Sequence, residues 1–141
     1  MPKAHHVSFR VYYEDTDAGG VVYYANYLKF AERARTELLR HIGINQSNLV
    51  QTHQLYFVVR HATLDLKKAA KLVDELTIAT TISSLSGPRI IMEQSILLEE
   101  NEIAAIAVQI ACVNTDFRPV RLPEDLKETF IPFLTTKPKE K

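Results

Sequence analysis

The hydrophobic pattern changes its period along the first third of the chain. In residues 7–13 apolar residues alternate with polar ones, which is the period of a half-buried β-strand. In residues 25–42 apolar positions recur every three or four residues, which is the period of an amphipathic helix. Gly43 follows and fits the C-terminal cap of that helix. The predicted apolar stripe consists of Tyr27, Phe30, Ala31, Ala34, Leu38 and Ile42.

The remainder of the chain has the pattern of strands. Four alternating or apolar segments are predicted as strands, at residues 55–66, 72–85, 90–99 and 103–114. A turn at residues 86–88 separates the second from the third of these. A hairpin across residues 100–102 is predicted to join the last two. A short helix is predicted at residues 123–130, where a proline comes first.

The order of elements, one strand, one helix and then four strands, limits the possible folds. A helix with one apolar stripe cannot be buried by itself. An α+β fold, in which a curved antiparallel sheet of about five strands wraps around one long helix, buries that stripe most economically. A cystatin-like cone is the alternative, but its helix normally comes first. The segments 90–98 and 103–113 are apolar on both faces, so we expect a partner subunit to cover the outer face.

Composition favours a single domain without disulfides. The chain has 141 residues, a length typical of one domain, which we place at residues 1–134, with a polar tail at residues 135–141. The 17 basic and 17 acidic residues give no net charge, so we expect no nucleic-acid binding. The single cysteine, Cys112, lies in an apolar stretch and is predicted to be buried. No segment reaches the ~20 apolar residues of a membrane span. The N-terminus lacks the apolar core of a signal peptide, so we expect a cytoplasmic protein.

A loop at residues 14–20 carries the residues with the clearest chemical potential. The helix that follows presents backbone N–H groups without internal partners, which suit a polarised carbonyl oxygen. The Asp17 carboxylate could face the same point, and the two together are the minimum needed for acyl hydrolysis. Gly19 and Gly20 allow a ligand to approach the backbone closely.

A purely structural interpretation of the same loop is stronger on the residues alone. Asp15, Thr16 and Asp17 are all residue types that form turns and cap helices. The similarity of a longer segment around this loop to a known protein family decides between the two interpretations.

Residues 13–27, with the sequence YEDTDAGGVVYYANY, resemble the signature of the 4-hydroxybenzoyl-CoA thioesterase family. Residues 10–40 and 57–60 resemble more closely the acyl-CoA thioesterases associated with the Tol–Pal system. The resemblance implies a hot-dog fold, an acyl-CoA substrate, no cofactor, and dimers or tetramers with sites at the subunit interface. Acyl carrier protein is a possible acyl donor. The alternative function is a noncatalytic partner of acyl carrier protein or of the Tol–Pal complex.

The resemblance also implies roles for individual residues. Asp17 matches the catalytic aspartate of the family, as nucleophile or general base. The backbone N–H of Tyr24, with that of Ala25, matches the donor that polarises the thioester. Many Tol–Pal-associated members have histidine where this chain has Tyr24, so a role for an imidazole does not carry over. The residues expected to contact substrate are Gly19, Gly20, Val21, Tyr27, Arg60, His61 and Arg89.

The phosphates of CoA require basic residues, and the chain offers several. Arg89, after the turn at residues 86–88, matches the place where the family sets its phosphate-binding residues; Lys67, Lys68 and Lys71 are further candidates. Glu32 is a minor candidate because some other hot-dog thioesterases use a helix glutamate. No two of the five histidines have the spacing of metal ligands, so we expect no metal site. A hot-dog dehydratase would need a catalytic histidine, and none lies in the loop before the helix.

Overall fold

A computed structural model describes residues 3–135 as one five-stranded antiparallel sheet and one long helix. The order across the sheet is β1-β3-β4-β5-β2. The strands are β1 His5–Arg10, β2 Leu55–Leu66, β3 Glu75–Ser86, β4 Arg89–Leu98 and β5 Asn101–Asn114. The α-helices are α1 Tyr24–His41, α2 Leu49–His53 and α3 Glu124–Phe130. The predicted strands and the two predicted helices are confirmed, whereas the short α2 was not predicted.

Helix α1 packs its predicted stripe against the sheet. Tyr27, Phe30, Ala31, Ala34 and Leu38 are all buried, and α1 contacts β1, β3 and β5. The small alanines let the sheet come close to the helix. The Gln94 side chain of β4 can therefore reach the helix backbone, where it donates to the Ala31 carbonyl oxygen at 2.8 Å. The sheet therefore curves around the helix, as the sequence predicts.

Strand β3 begins at Glu75 and not at residue 72, and two further predicted boundaries were wrong for identifiable reasons. Strand β1 ends at Arg10, and Tyr13 lies in a 3-10 turn with 82% of its surface exposed. The chain turns there because the Asp15 carboxylate accepts a hydrogen bond from the Tyr12 N–H at 2.8 Å. The β4–β5 hairpin turns at Glu99 and Glu100, so residues 101–102 belong to β5 and not to the turn.

The outer face of the sheet is less apolar than the sequence suggested. Along β4 the buried positions alternate with exposed or partly exposed ones, among them the exposed Glu93 and the partly exposed Ser95. The facing surface of β5 carries Ala105 and Ala107. This face is a shallow groove lined by small and polar side chains.

Strand β2 forms one edge of the sheet. Within residues 3–135 it pairs with β5 alone, and its Val59 and Leu66 side chains are exposed. An unpaired edge with exposed apolar side chains is a place where another strand can add.

Residue 135 still belongs to the fold. The Thr135 N–H donates to the Ile82 carbonyl oxygen at 2.7 Å, and residues 136–141 of the predicted tail lie outside the described part of the chain. Across residues 3–135, no helix combines the length and apolar content required to cross a bilayer.

Candidate active site

The loop between β1 and α1 is anchored by a buried carboxylate. Asp15 is only 4% exposed. Its Oδ2 accepts from the Tyr12 N–H at 2.8 Å, and its Oδ1 accepts from Asn26 Nδ2 at 3.0 Å. Its carbonyl oxygen accepts from the Tyr23 N–H at 2.9 Å. Asp15 therefore fastens the start of the loop to the first turn of α1.

Asp17 lies at the corner of a small hairpin made by residues 16–22. Its N–H donates to the Val21 carbonyl oxygen at 2.9 Å, and its own carbonyl oxygen accepts from the Gly20 N–H at 3.1 Å. The exposed carboxylate accepts one hydrogen bond through Oδ1, from the Gly19 N–H at 2.8 Å. Among the described residues, Oδ2 has no hydrogen-bond or ion-pair partner. One oxygen is thus fixed and the other is available for chemistry.

Both glycines of the hairpin have a structural reason to be glycine. A Cβ on Gly19 would lie 3.2 Å from Asp17 Oδ1, a contact tighter than most Cβ atoms tolerate. Gly20 has a φ of +81°, a backbone conformation that residues with a Cβ rarely adopt. Gly19 therefore leaves room for the Asp17 carboxylate, and Gly20 allows the hairpin to turn.

The N-terminus of α1 lies directly after this hairpin. Tyr23 is the N-cap and its side chain does not cap the helix. The Asn26 N–H donates to the Tyr23 carbonyl oxygen at 2.8 Å. The N–H groups of Tyr24 and Ala25 have no acceptor among residues 3–135, so they can donate to a ligand. These are the two donors named from the sequence.

Tyr27 lies in the core and not at the rim of the site. It is 2% exposed, and its hydroxyl accepts from the Ala70 N–H at 3.0 Å. The Ala70 carbonyl oxygen in turn accepts from the Val22 N–H at 2.9 Å, and Val21 pairs with Lys71. Burial raises the pKa of the Tyr27 hydroxyl, which keeps it neutral. Tyr27 thus holds the segment around Ala70 against the loop.

Two arginines expected to contact substrate line one cavity of about 260 Å³ beside the middle of β2. Arg60 is the extra residue of a β-bulge, since Val59 pairs with Ile110 and His61 pairs with Gln109. Arg89 begins β4 directly after the predicted turn. No carboxylate in the described part of the chain forms an ion pair with Arg60 or Arg89. The bulge that places Arg60 has no signal in the sequence pattern.

The neighbouring basic residues are placed differently. Lys67 is bonded to Glu102, which also accepts from Ser95 Oγ at 2.6 Å. The hydrogen bond with Glu102 raises the pKa of Lys67. Lys68 and Lys71 are exposed, and their segment borders the loop that carries Asp17, since Lys71 pairs with Val21. Lys67 is therefore engaged, whereas the side chains of Lys68 and Lys71 form no ion pair with any residue in the described range 3–135.

A second cavity, of about 220 Å³, lies between α1 and the sheet. Glu32, Arg35 and Leu39 line it from the helix. These positions continue the face that begins at Ala25 and Leu28, because they follow at spacings of three and four residues. The cavity therefore lies on the same face of α1 as Ala25, and its first lining residue, Glu32, is about 10 Å further along the helix axis. Its other walls include Phe57, Met92 and Phe130.

Arg35 is a polar group of that cavity with a fixed position. One guanidinium N–H donates to Gln94 Oε1 at 2.9 Å. Burial lowers the pKa of Arg35, and the nearby Glu32 opposes this effect. Gln94 is buried and also donates to Thr80 Oγ1 at 3.1 Å, so it fixes Arg35 relative to the sheet.

Thiol and metal-ligating side chains are two other kinds of reactive group. Cys112 is buried as predicted, and burial raises its pKa to about 11, which leaves the thiol protonated. Within the part of the chain that the structure covers, no group of three or more histidine, cysteine or acidic side chains could hold a metal ion. The carboxylate of Asp17 and the helix N–H donors remain as the chemistry of the site.

A solved structure shares both fold and sequence with this chain. The structure of a probable thioesterase from Bartonella henselae superposes with a TM-score of 0.81 at 44% sequence identity. The match covers 85% of this chain and 99% of that chain. A curved five-stranded antiparallel sheet around one long helix is the hot-dog fold of thioesterases, and this chain has that fold.

The sequence comparisons give the family. The profile of the thioesterase-like superfamily matches residues 11–130. Acyl-CoA thioesterase YbgC of Haemophilus influenzae is 45% identical over 122 residues, which cover 86% of this chain and 90% of the relative. Acyl-CoA thioesterase YbgC of Helicobacter pylori is 35% identical over 129 residues, which cover 84% and 94%. The chain belongs to the thioesterase-like superfamily.

Proposed function

We propose that this chain hydrolyses the thioester of acyl-CoA to a carboxylic acid and CoA, with Asp17 driving the reaction. The observation that carries the proposal is the geometry of one short segment. The exposed Asp17 carboxylate, fixed by the Gly19 N–H, precedes a helix whose Tyr24 and Ala25 N–H groups are free. Relatives that are 45% and 35% identical are acyl-CoA thioesterases.

In the first step the Tyr24 and Ala25 N–H groups donate to the thioester carbonyl oxygen. These donors, at the positive end of α1, stabilise the negative charge that develops on this oxygen in the transition state. Because the donors belong to the backbone, the tyrosine side chain at position 24 does not prevent this role.

Asp17 can complete the reaction in either of two ways. As general base, it accepts a proton from water while the water oxygen attacks the carbonyl carbon; the C–S bond then breaks and the CoA thiolate is protonated. As nucleophile, its free oxygen attacks the carbonyl carbon and displaces CoA, and water hydrolyses the resulting mixed anhydride. Both variants use the same free Oδ2 of Asp17.

The acyl group occupies the cavity of about 220 Å³ along α1. The cavity continues the helix face that starts at the Ala25 N–H, so a carbonyl held there directs its chain along the helix. A cavity of about 150 Å³ holds a benzene ring. The volume therefore suits a short or single-ring acyl group better than a long alkyl chain. Glu32 lines this cavity and is a contact residue in the proposal rather than a catalytic one.

The nucleotide end of CoA binds at the two arginines. Arg60 and Arg89 line one cavity and have no acidic partner in the described residues, so they can form charge-assisted hydrogen bonds with phosphates. The exposed His61, next to the bulge, adds a donor at this rim. Gly19, Gly20 and Val21 contact the thioester end of the substrate.

Tyr27 acts indirectly in this scheme. Because its buried hydroxyl holds Ala70, which in turn bonds to Val22, it positions the loop instead of contacting the substrate. Removing the hydroxyl would loosen the hairpin that carries Asp17.

A second copy of the chain completes the enzyme in this proposal. The unpaired edge of β2, with exposed Val59 and Leu66, supports strand pairing between two copies. The groove of small side chains on the outer face supports pairing of dimers into a tetramer. Each site then takes Asp17 from one subunit and Arg89 from its neighbour. We also propose that the protein is located in the cytoplasm.

Acyl carrier protein is the alternative acyl donor, because it presents the same phosphopantetheine arm. A function as a noncatalytic partner of acyl carrier protein or of the Tol–Pal complex would use the fold alone. The fixed Asp17 carboxylate and the free N–H donors favour the enzyme, since a scaffold needs neither.

A panel of acyl-CoA substrates tests the proposal. We expect CoA release with short and single-ring acyl groups, and a lower kcat/KM with acyl chains longer than the cavity accommodates. Acyl carrier protein loaded with the preferred acyl group shows which donor is used. Absence of thiol release from every acyl-CoA and every loaded carrier would refute the enzyme and favour the scaffold.

A further inference from the structure

Two aromatic side chains stack on each other at the surface of the sheet. The rings of Tyr56 and Phe117 lie 5.3 Å apart with an interplanar angle of 6°. Tyr56 is 38% exposed and Phe117 is 66% exposed. No step of the proposed reaction uses this pair, and it does not belong to the core.

Phe117 occupies its place at a conformational cost. Its φ of +60° is a left-handed conformation that is a genuine outlier for a bulky residue. The surrounding turn is fixed by Asn114, whose Oδ1 accepts from the N–H groups of Asp116 and Arg118 at 2.9 and 3.0 Å. Strained backbone maintained by its surroundings occurs preferentially at ligand sites. A glycine would form the same turn without strain, so the phenyl ring itself needs an explanation.

The aromatic pair and the arginine cavity lie on the same face of the sheet. Leu55 and Ile90 point into the core, so Tyr56 and Arg89, their neighbours along the strands, point outward. Pro119 lines the arginine cavity and is two residues from Phe117.

Strand register gives the spacing between them. Tyr56 pairs with Val113, which also pairs with Pro119, and Arg89 pairs with Ala111. Val113 and Ala111 are two residues apart on β5 and point to the same face. The cross-strand row that contains Tyr56 is therefore next to the row that contains Arg89 on the outer face. Strand spacing and rise then put the Cα atoms of Tyr56 and Arg89 about 12 Å apart.

We propose that the Tyr56–Phe117 pair is a stacking platform for the purine base of the bound nucleotide. This inference rests on the proposed function, because it assigns the adenine of CoA to the platform and its phosphates to Arg60 and Arg89. A purine has a flat π-face that stacks on aromatic side chains and needs no specific hydrogen bonds. Neighbouring guanidinium groups supply the charge that the phosphates require. An exposed parallel aromatic pair, beside two arginines that have no acidic partner among residues 3–135, matches both parts of an adenine nucleotide.

The substitution Phe117→Gly separates a binding role from a structural one. Glycine accepts the φ of +60° without strain, so the variant should unfold at the same or a higher urea concentration than the wild type. If Phe117 only supported the fold, removing its ring would instead lower stability. Ile131→Ala is the matched control, because Ile131 is an exposed apolar residue outside both cavities.

The direct test is binding of adenosine 3′,5′-bisphosphate, measured by isothermal titration calorimetry without any turnover. We expect Phe117→Gly to weaken binding about five- to tenfold, within the range for loss of one base–aromatic stack. Binding of inorganic pyrophosphate should depend on Arg89 and be unchanged in Phe117→Gly. With acyl-CoA the KM should rise by the same factor, whereas with acyl-pantetheine it should not change.

Other results would overturn the platform. Equal affinity of wild type and Phe117→Gly for adenosine 3′,5′-bisphosphate would exclude it. A lower oligomer mass of Phe117→Gly in light scattering would assign the pair to contacts between copies. A chain that binds the bisphosphate through Phe117 but hydrolyses no acyl-CoA would refute the proposed function and keep the platform.

Discussion

Asp15 Oδ1 accepts a hydrogen bond of 3.0 Å from Asn26 Nδ2, and this buried contact joins the loop after β1 to the first turn of α1. It separates the roles of two carboxylates that are only two residues apart. Asp15 is enclosed by donors, whereas Asp17 is exposed with one free oxygen. The loop can keep Asp17 in one place because Asp15 fixes the chain before it.

Asp15→Ala should destabilise the fold and also reduce activity. The change leaves the buried Asn26 side chain and the Tyr12 N–H without acceptors, and such a loss costs about 1–3 kcal/mol for each buried group. Urea unfolding followed by circular dichroism should show a fall of at least about 2 kcal/mol. Asp65→Ala, at an exposed position of β2, is the control and should change stability little. Equal unfolding midpoints for the two variants would show that the Asp15 contact does not anchor the loop.

The sequence predicted the helix and most of the sheet because their patterns are long and regular. Helix α1 was placed within one residue at each end, since its apolar stripe is continuous. Strand β1 was predicted too long because Tyr13 continues the alternation although Asp15 turns the chain before it. Local periodicity carries no information about such a turn.

From the residues alone, candidate site groups could be combined only where they are close in sequence. The loop carboxylate and the N–H groups of α1 are neighbours along the chain, so they could be named together. The cavity shared by Arg60 and Arg89 depends on a bulge and on pairing across β5, which the pattern does not encode. The contact of Arg35 with Gln94 joins residues 59 positions apart and had no sequence signal.

Glu100→Gly should stabilise the protein. Glu99 and Glu100 form the β4–β5 turn with φ of +50° and +73°, where glycine or asparagine is the favoured type of residue. Relieving one strained position should raise the free energy of unfolding by about 1 kcal/mol. Urea midpoints measure the gain, and Glu128→Gly, in α3, is the opposite control because glycine destabilises a helix. A lower midpoint for Glu100→Gly would contradict the proposed strain.

Stability should fall as the pH drops below about 6.5 because of His5. Burial lowers the pKa of His5 from 6.5, and the neighbouring His41 and His6 add to this effect, whereas Glu37 opposes it. The unfolded chain therefore binds a proton at a pH where the folded His5 is still neutral. The contribution is present above pH 6.5 and is lost as the pH falls toward the folded pKa.

His5→Phe isolates this contribution. The ring stays near His41, whose ring centroid lies 5.2 Å from that of His5, but the titrating group is removed. Unfolding free energies of the variant should change less between pH 7.5 and 5.5 than those of the wild type. The carboxyl groups of Asp125 and Glu102, with pKa values lowered from 3.8 and 4.5, act at more acidic pH. If the free energy of unfolding changed by the same amount with pH in the variant and in the wild type, His5 would not contribute to the pH dependence of stability.

Mixed subunits test whether each site is shared between two copies. In a heterodimer of an Asp17→Asn chain and an Arg89→Ala chain, sharing creates one intact site and one site with both changes. The heterodimer should have the KM of the wild type, because its one active site is intact. Its turnover should be about half of the wild-type value, because the other site lacks Asp17. A remote phosphate contact that binds ground state and transition state equally affects KM and not kcat. If Arg89 served the site of its own chain, the only active site would lack it, and purified heterodimers would show only a raised KM.

The central claim is that the Asp17 carboxylate drives thioester hydrolysis, and turnover of Asp17→Asn on the preferred acyl-CoA tests it most directly. Asparagine keeps the size of the side chain and an oxygen to accept from the Gly19 N–H, but it can neither remove a proton from water nor form an anhydride. With an unchanged unfolding midpoint, kcat should fall at least about 100-fold while KM changes little. A folded Asp17→Asn protein with near-normal kcat would contradict the account and move the chemistry to another group.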